Sequence, residues 1–341
     1  MYRASGFEGT DSQSEDVDLA KKRSDRGIAE RVEELSLTWE DLEMATDNFS
    51  DLQVLAADAR YSRSFIALRQ VFPFLMTVKV YNLSIPGARM AYETELQILR
   101  LCQHPNIVQL VGEMKNILIL EGLAGGTLDS LLFNDLTRKI TWDTRLKIAL
   151  DVANGLAYLH HFTWTYKTRN RLPCKGIVHC NLSPSAVFLS GSTAKIGELC
   201  YSMLLHNTDE IEEGKVGGAF VYLSPECASR GIVSCKGDVY SFGATIVEMI
   251  VRKRISDIIQ QLKEPWTWEA DHLSDLIRQN FVTDSSLLPE LDSNSYRESV
   301  SELARLALQC MNPDAENRPA MKDREETKTT WVSYPRGRRE S

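Results

Sequence analysis

The chain has 341 residues, 43% of them hydrophobic and 25% charged, with a formal net charge of -8. That length supports one large domain or two modest ones with a sizeable core, and the acidic balance argues against nucleic acid as the main partner, because no basic field attracts phosphates. The cysteines (Cys102, Cys174, Cys180, Cys200, Cys227, Cys235 and Cys310) are scattered without a C-x-x-C pair, which argues against a zinc site and fits a reducing, cytosolic setting.

Residues 1–36 mix Ser, Asp, Glu and Lys with little periodicity and read as a disordered acidic tail. No apolar signal segment opens the chain, and no apolar run of about 18 residues predicts a transmembrane helix. Order is expected from LTWEDLEMATDNFS (37–50), where Thr38 can cap a short helix with Asp41 three residues on. The stretch 54–83 alternates and is rich in β-branched residues, so it predicts strands with turn-like interruptions. ARMAYETELQILRLC (88–102) predicts an amphipathic helix with Leu96, Leu99 and Cys102 on one face.

NIVQLVG (106–112) and NILILEG (116–122) read as two short buried strands, and Gly125-Gly126 then breaks the chain. ITWDTRLKIALDVANGLAYLHH (140–161) predicts a helix with Leu146, Leu150, Ala153 and Leu159 on its apolar face. A basic loop follows at 161–176, read as a solvated insertion with a contact surface as the sharper alternative. The acidic run Asp209 to Glu213 reads as a solvated loop. GDVYSFGATIVEMIV (237–251) is apolar nearly all round and predicts a buried central helix, and ESVSELARLALQCM (298–311) another amphipathic one. The fold class is therefore α+β and bilobal. A β-rich part at 37–122 and a helical part at 123–322 lie between the tail 1–36 and a charged C-terminal tail 323–341.

Seven phrases in order over 37–322 carry a resemblance: ATDNFS, HPNIVQLVG, TRLKIALDVANGLAYLHH, GIVHCNLSPSAVFL, YLSPECASRG, KGDVYSFG and NRPAM. Together they resemble the protein kinase fold, most closely the plant receptor-like kinase group. The resemblance implies an N-lobe sheet with one regulatory helix, a helical C-lobe, and a cleft where active relatives hold ATP. Catalysis there is mostly positioning and charge neutralisation by a few polar groups.

Each of those groups has a counterpart here. The stretch Leu55 to Tyr61 matches the glycine-rich loop but holds no glycine, and Asp58 would place negative charge near the phosphates. Thr77 replaces the small residue placed against the adenine. Lys79 matches the phosphate-binding lysine and Glu95 its helix partner; these two are the remaining candidates for a nucleotide site, with a structural ion pair as the plainer alternative. In His179-Cys180-Asn181-Leu182-Ser183-Pro184-Ser185-Ala186, Asn181 stands where the base aspartate belongs, and an amide cannot accept a proton as a carboxylate does. Ser183 replaces the lysine that neutralises phosphate, Ala186 the metal-binding asparagine, and Cys180 the arginine that senses a phosphorylated segment. Glu198-Leu199-Cys200 aligns with the metal-binding triplet; Glu198 keeps a carboxylate one methylene longer. Ala219 falls where active kinases usually have a threonine near the substrate. His179, Leu199, Glu226, Asp238 and Arg318 match structural anchors of the fold.

The expected function is that of a catalytically inactive, kinase-like scaffold or regulator that binds an active receptor-like kinase or another signalling protein. No cofactor or metal is required for it, and ATP is the one candidate ligand. The alternatives are a protein Ser/Thr kinase with residual phosphoryl transfer through Lys79, Glu95 and Glu198, and a nucleotide-sensing switch without catalysis. The expected location is cytoplasmic, with a partner recruiting the protein to the plasma membrane. After Met321 the sequence DREETKTTW replaces the final amphipathic helix of active relatives, so that helix is shortened or the coding region truncated.

Overall fold

Alternation along MTVKVY organises the first layer. Met76, Val78 and Val80 face one side of the strand; Thr77, Lys79 and Tyr81 face the other. The structure, a computed structural model, describes residues 37–56, 60–68, 74–134, 140–163, 173–206, 209–212, 217–261 and 294–321. Helix α1 (Trp39–Ala45) opens it. The Thr38 hydroxyl accepts from the Asp41 N–H at 3.2 Å, and the Asp41 carboxylate accepts from the Thr38 N–H at 2.9 Å, a reciprocal capping box.

Strands β1 (Val54–Ala56), β2 (Ser62–Ala67) and β3 (Met76–Tyr81) lead to helix α2 (Ala88–Leu101), then β4 (Leu110–Met114) and β5 (Ile117–Glu121). They form a five-stranded antiparallel sheet in the order β1-β2-β3-β5-β4. Leu42 and Ala45 of α1 pack on its outer face against Met76, Val78, Val111, Ile117 and Ile119. The inner face, with Tyr81, Leu118 and Leu120, meets Leu96 and Leu99 of α2. The strand expected over 106–112 starts later, at Leu110. Residues 106–108 pair elsewhere: the Val108 N–H donates to the Ile196 carbonyl at 2.9 Å, and the Ile196 N–H donates to that of Asn106 at 2.8 Å. These bonds tie the sheet to the helical lobe.

That lobe comprises α3 (Trp142–His160), β6 (Gly176–Val178), β7 (Val187–Ser190), β8 (Thr193–Ile196), β9 (Met203–Leu205), β10 (Glu210–Glu212), α4 (Pro225–Arg230), β11 (Ile232–Ser234), α5 (Cys235–Val251), α6 (Ile255–Gln261) and α7 (Asn294–Cys310). Every residue of α5 from Asp238 to Val251 is buried, so this helix has no solvent face. Helix α7 packs along it. In α3 the core stripe is Trp142, Ile148, Ala149, Val152, Leu156 and Leu159, whereas Leu146, Leu150 and Ala153, expected on that face, form its half-buried flank. The N-terminal anchors set this rotation. Trp142 is buried with its indole N–H donating to Ser299 Oγ at 2.9 Å, and Arg145 is buried with its Nε donating to the Ile140 carbonyl at 3.2 Å.

The acidic run is not a solvated loop throughout. Glu210–Glu212 forms β10 and pairs antiparallel with β11, Ile211 opposite Val233. Its one apolar residue, Ile211, packs into a small core with Val178, Leu205, Cys227 and Val233. The stretch 1–36, Asp58, most of the 161–176 loop and the tail 323–341 lie outside the described residues.

Two buried junctions hold the lobe. Arg318 donates to Glu226 through both guanidinium arms, at 2.7 and 2.8 Å, and its remaining N–H groups reach the carbonyls of Asn312, Lys236 and Pro313. All five guanidinium donors are thereby satisfied. At the other junction, Glu248 of α5 accepts from the Tyr222 hydroxyl on both oxygens at 3.0 Å and from the Ile255 N–H at 2.6 Å. Burial pushes the Glu248 carboxyl up to about 7, partly opposed by those two donors and Arg254 and reinforced by Asp129.

Arg318→Leu is expected to cost about 3–5 kcal/mol in urea unfolding, because it leaves the Glu226 carboxylate buried and unpaired. Glu248 binds its proton more tightly when folded, so its contribution is present below the ordinary carboxylate value of 4.5 and is lost as pH rises through about 7. Between pH 5 and pH 8 the wild type should therefore lose up to about 3 kcal/mol relative to Glu248→Gln, read as diverging urea midpoints.

Candidate functional site: the interlobe cleft

Lys79 lies on the inner face of β3, buried at 1% exposure and aimed across the cleft. Its Nζ is 2.7 Å from Glu95 Oε2 on α2 and 3.0 Å from Glu198 Oε1 on the helical lobe. The Tyr81 hydroxyl also bonds Glu95 Oε2. Tyr81 was not singled out from the sequence, although its spacing from Lys79 in a strand puts both side chains on one face. One ammonium thus faces two buried carboxylates. Burial opposes the Lys79 charge, but Glu198 and then Glu95 outweigh it and hold the ammonium's pKa above its ordinary value. Burial pushes the Glu198 carboxyl up, Lys79 pulls it back, and Glu95 pushes it further. Glu198 also sits in the left-handed region, φ 55, which costs a non-glycine residue about 1–2 kcal/mol.

Leu199, fully buried, opens the 3-10 turn Leu199–Tyr201 against α2. Behind the turn runs the loop from His179 to Ala186. Asp238, in the first turn of α5, accepts from the backbone N–H groups of His179 (2.7 Å) and Cys180 (2.9 Å) and bonds His160 Nε2 (2.9 Å). His179 Nε2 donates to the Gly197 carbonyl at 2.8 Å, and its Nδ1 accepts from the Asn181 N–H at 3.1 Å. Burial, against the pull of Asp238, lowers the pKa of this imidazole and favours its neutral form.

The residues at the chemical positions are used locally. Asn181 Oδ1 accepts from the Ala219 N–H at 3.2 Å. Gly218 makes that approach possible: it has φ +110, and a Cβ there would lie 2.7 Å from Asn181 Oδ1. Ser183 Oγ is 3.0 Å from Ser185 Oγ. Ala186 is buried and accepts from the Gly197 N–H through its carbonyl, at 2.9 Å. Thr77 Oγ1 accepts from the Leu123 N–H at 3.3 Å, using a backbone donor that lines the cleft. With Lys79, Glu95, Glu198, Val108 and Phe188 also in the wall, these side chains enclose a cavity of about 10 Å³, room for about one water. Among the described residues, no three of His, Cys, Asp or Glu are grouped to hold a metal ion.

Cross-lobe contacts that the sequence did not announce complete the site. Lys195 of β8 pairs with Glu121 at the end of β5, at 2.9 Å, and Tyr61 lies against Tyr201, ring centroids 5.9 Å apart. No local periodicity links residues this distant in the chain.

Residues 75–327 match the family described as protein tyrosine and serine/threonine kinase. The chain is 29% identical over 307 residues to a probable serine/threonine-protein kinase of Arabidopsis thaliana, PBL28, covering 84% of this chain and 76% of that one. It is 27% identical over 316 residues to the L-type lectin-domain containing receptor kinase IX.1 of the same plant, covering 91% of this chain and 46% of the relative. To receptor protein kinase WSS1 of Oryza sativa subsp. japonica it is 30% identical, covering 84% of this chain and 31% of the relative. The chain thus spans less than half the length of these two receptor kinases. Among solved structures, the pseudokinase domain of BIR2, an immune regulator of the RLK/Pelle family, has the same fold, with a TM-score of 0.58 at 24% identity over 84% of this chain and 82% of that one.

Lys79→Met leaves two buried carboxylates without their cation and is expected to cost about 3–5 kcal/mol in urea unfolding at pH 7.5. Adding Glu198→Gln should recover part of that loss, because it removes one of the two stranded charges.

Proposed function

The chain belongs to the protein tyrosine and serine/threonine kinase family, with plant receptor-like kinases among its relatives, and from that premise we propose that it is a catalytically inactive regulator acting through protein contacts. The observation that carries this reading is the cleft chemistry. Asn181 offers no base, Ser183 no cation and Ala186 no metal-binding oxygen, and both carboxylates of the cleft, Glu95 and Glu198, are held by Lys79. Phosphoryl groups need charge neutralisation at the reacting atoms, and among the described residues of the cleft no free group supplies it.

Three features of the cleft support a role that needs no magnesium nucleotide. Ala186 has no side-chain oxygen, the Leu123 N–H already donates to Thr77, and the cavity enclosed by the described side chains is about 10 Å³. Intact anchors around this altered cleft support a scaffold kept for its surface rather than its turnover. The partner this implies is an active receptor-like kinase or another signalling protein, met in the cytoplasm and, through that partner, at the plasma membrane. No helix among the described residues is long and apolar enough to cross a membrane. A solved relative of this fold is itself described as a pseudokinase and an immune regulator, which supports the same class of role.

Purified protein should incorporate no phosphate from labelled ATP with magnesium, and millimolar ATP should leave its melting temperature unchanged, since a ligand that binds only the folded state must raise it. Phosphate transfer that disappears in Lys79→Ala would overturn the proposal and establish residual kinase activity. A thermal shift without transfer would make the protein a nucleotide sensor instead.

A further inference from the structure

Tyr61 lies in the sheet lobe, just before β2. Its carbonyl accepts from the Asn82 N–H at 2.8 Å, which fixes its backbone to the end of β3. Its ring meets that of Tyr201 at 5.9 Å between centroids, with the planes 42° apart. Its hydroxyl end reaches the start of α2, where a Cβ on Gly87 would lie 3.3 Å from the Tyr61 oxygen. Tyr201 closes the turn that follows Glu198. Its ring is also covered by the next part of the chain, because a Cβ on Gly217 would come within 2.2 Å of it. One aromatic contact therefore joins four elements: the roof of the cleft, α2, the turn after Glu198, and the segment that leads to Asn181's partner Ala219.

Ordinarily a ligand in a two-lobed cleft bridges the lobes and holds them together. Here side chains of the chain itself take that position. Lys79 reaches Glu198, and Tyr61 reaches Tyr201. We propose that the Tyr61–Tyr201 contact is an interlobe latch that, beside the Lys79–Glu198 pair, keeps the cleft shut without any ligand; this rests on the nucleotide-independent function proposed above. The latch presents one fixed arrangement of both lobes to a partner. Opening requires separation of the two rings.

Cys200 is a built-in reporter. It lies between Leu199 and Tyr201 as a free thiol, and burial, then Glu95, push its pKa well above the ordinary thiol range. A thiol so placed alkylates slowly while the cleft is closed. The test is peptide-resolved alkylation of the full chain with iodoacetamide. Tyr61→Ala and Tyr201→Ala should each raise the Cys200 rate several-fold and leave Cys180 and Cys235 unchanged. The double variant should label no faster than either single one, because both remove the same contact. Unchanged Cys200 labelling in both single variants, or multiplied rates in the double variant, overturns the latch. Should an alanine variant label all three cysteines alike, it has unfolded, and Tyr61→Leu, which keeps an apolar side chain without the ring, is measured against the same two criteria. The outcome is separable from the functional proposal: phosphate transfer by the wild type would remove that proposal and leave the alkylation rates to decide the latch alone.

Discussion

The Asp238 carboxylate is buried within the helical lobe, and it can be so only because hydrogen bonds surround it. It receives two successive backbone N–H groups, His179 and Cys180, and the ring of His160. Cys180 is thereby held at φ 65, a conformation a non-glycine side chain resists. With the backbone fixed, the His179 ring is aimed. One nitrogen bonds Gly197 and the other Asn181, so the residue before Glu198 and the residue that pins Ala219 are both positioned from one carboxylate. Through Glu198 the chain of contacts reaches Lys79, Glu95 and the sheet. Remove Asp238 and the interior of α5 loses its connection to the cleft.

The substitutions around the cleft are cheap for folding in a way that substitutions at the anchors would not be. Ala186 is buried but brings no polar atom that needs a partner, and Ser183 finds one in Ser185. Asn181 keeps an acceptor oxygen and uses it on the backbone of Ala219. Glu226 and Arg318 differ: each, alone, would be an unpaired buried charge. Chemistry and architecture are therefore separable in this lobe, because Asn181, Ser183 and Ala186 carry no charge that burial forces to be paired, whereas Glu226 and Arg318 do.

Much of this was legible beforehand, and for identifiable reasons. Alternation over 54–83 marked the strands of the sheet, and the family pattern marked Lys79; an apolar surface on all sides marked α5; Thr38 and Asp41 at capping spacing marked the start of α1. What escaped is what local pattern does not encode. The stripe of α3 is rotated by Trp142 and Arg145, which bury polar groups at the helix start and move Leu146, Leu150 and Ala153 to its flank. Residues 106–108 looked like sheet but pair with Ile196. Glu198 kept the carboxylate of the metal-binding triplet, but its 3.0 Å contact with Lys79 is not written in the local pattern around either residue.

The short ladder between β10 and β11 carries a consequence for how this chain can vary. Loops usually tolerate added residues, because nothing downstream depends on their length. Glu210–Glu212 is instead in register with Ile232–Ser234, and side chains alternate faces with a period of two. One inserted residue just before Ile211 would turn it from its packing against Val233 and Cys227 out into water. In this protein the acidic run is thus constrained in length, and insertions there should be as rare among its descendants as insertions within a helix.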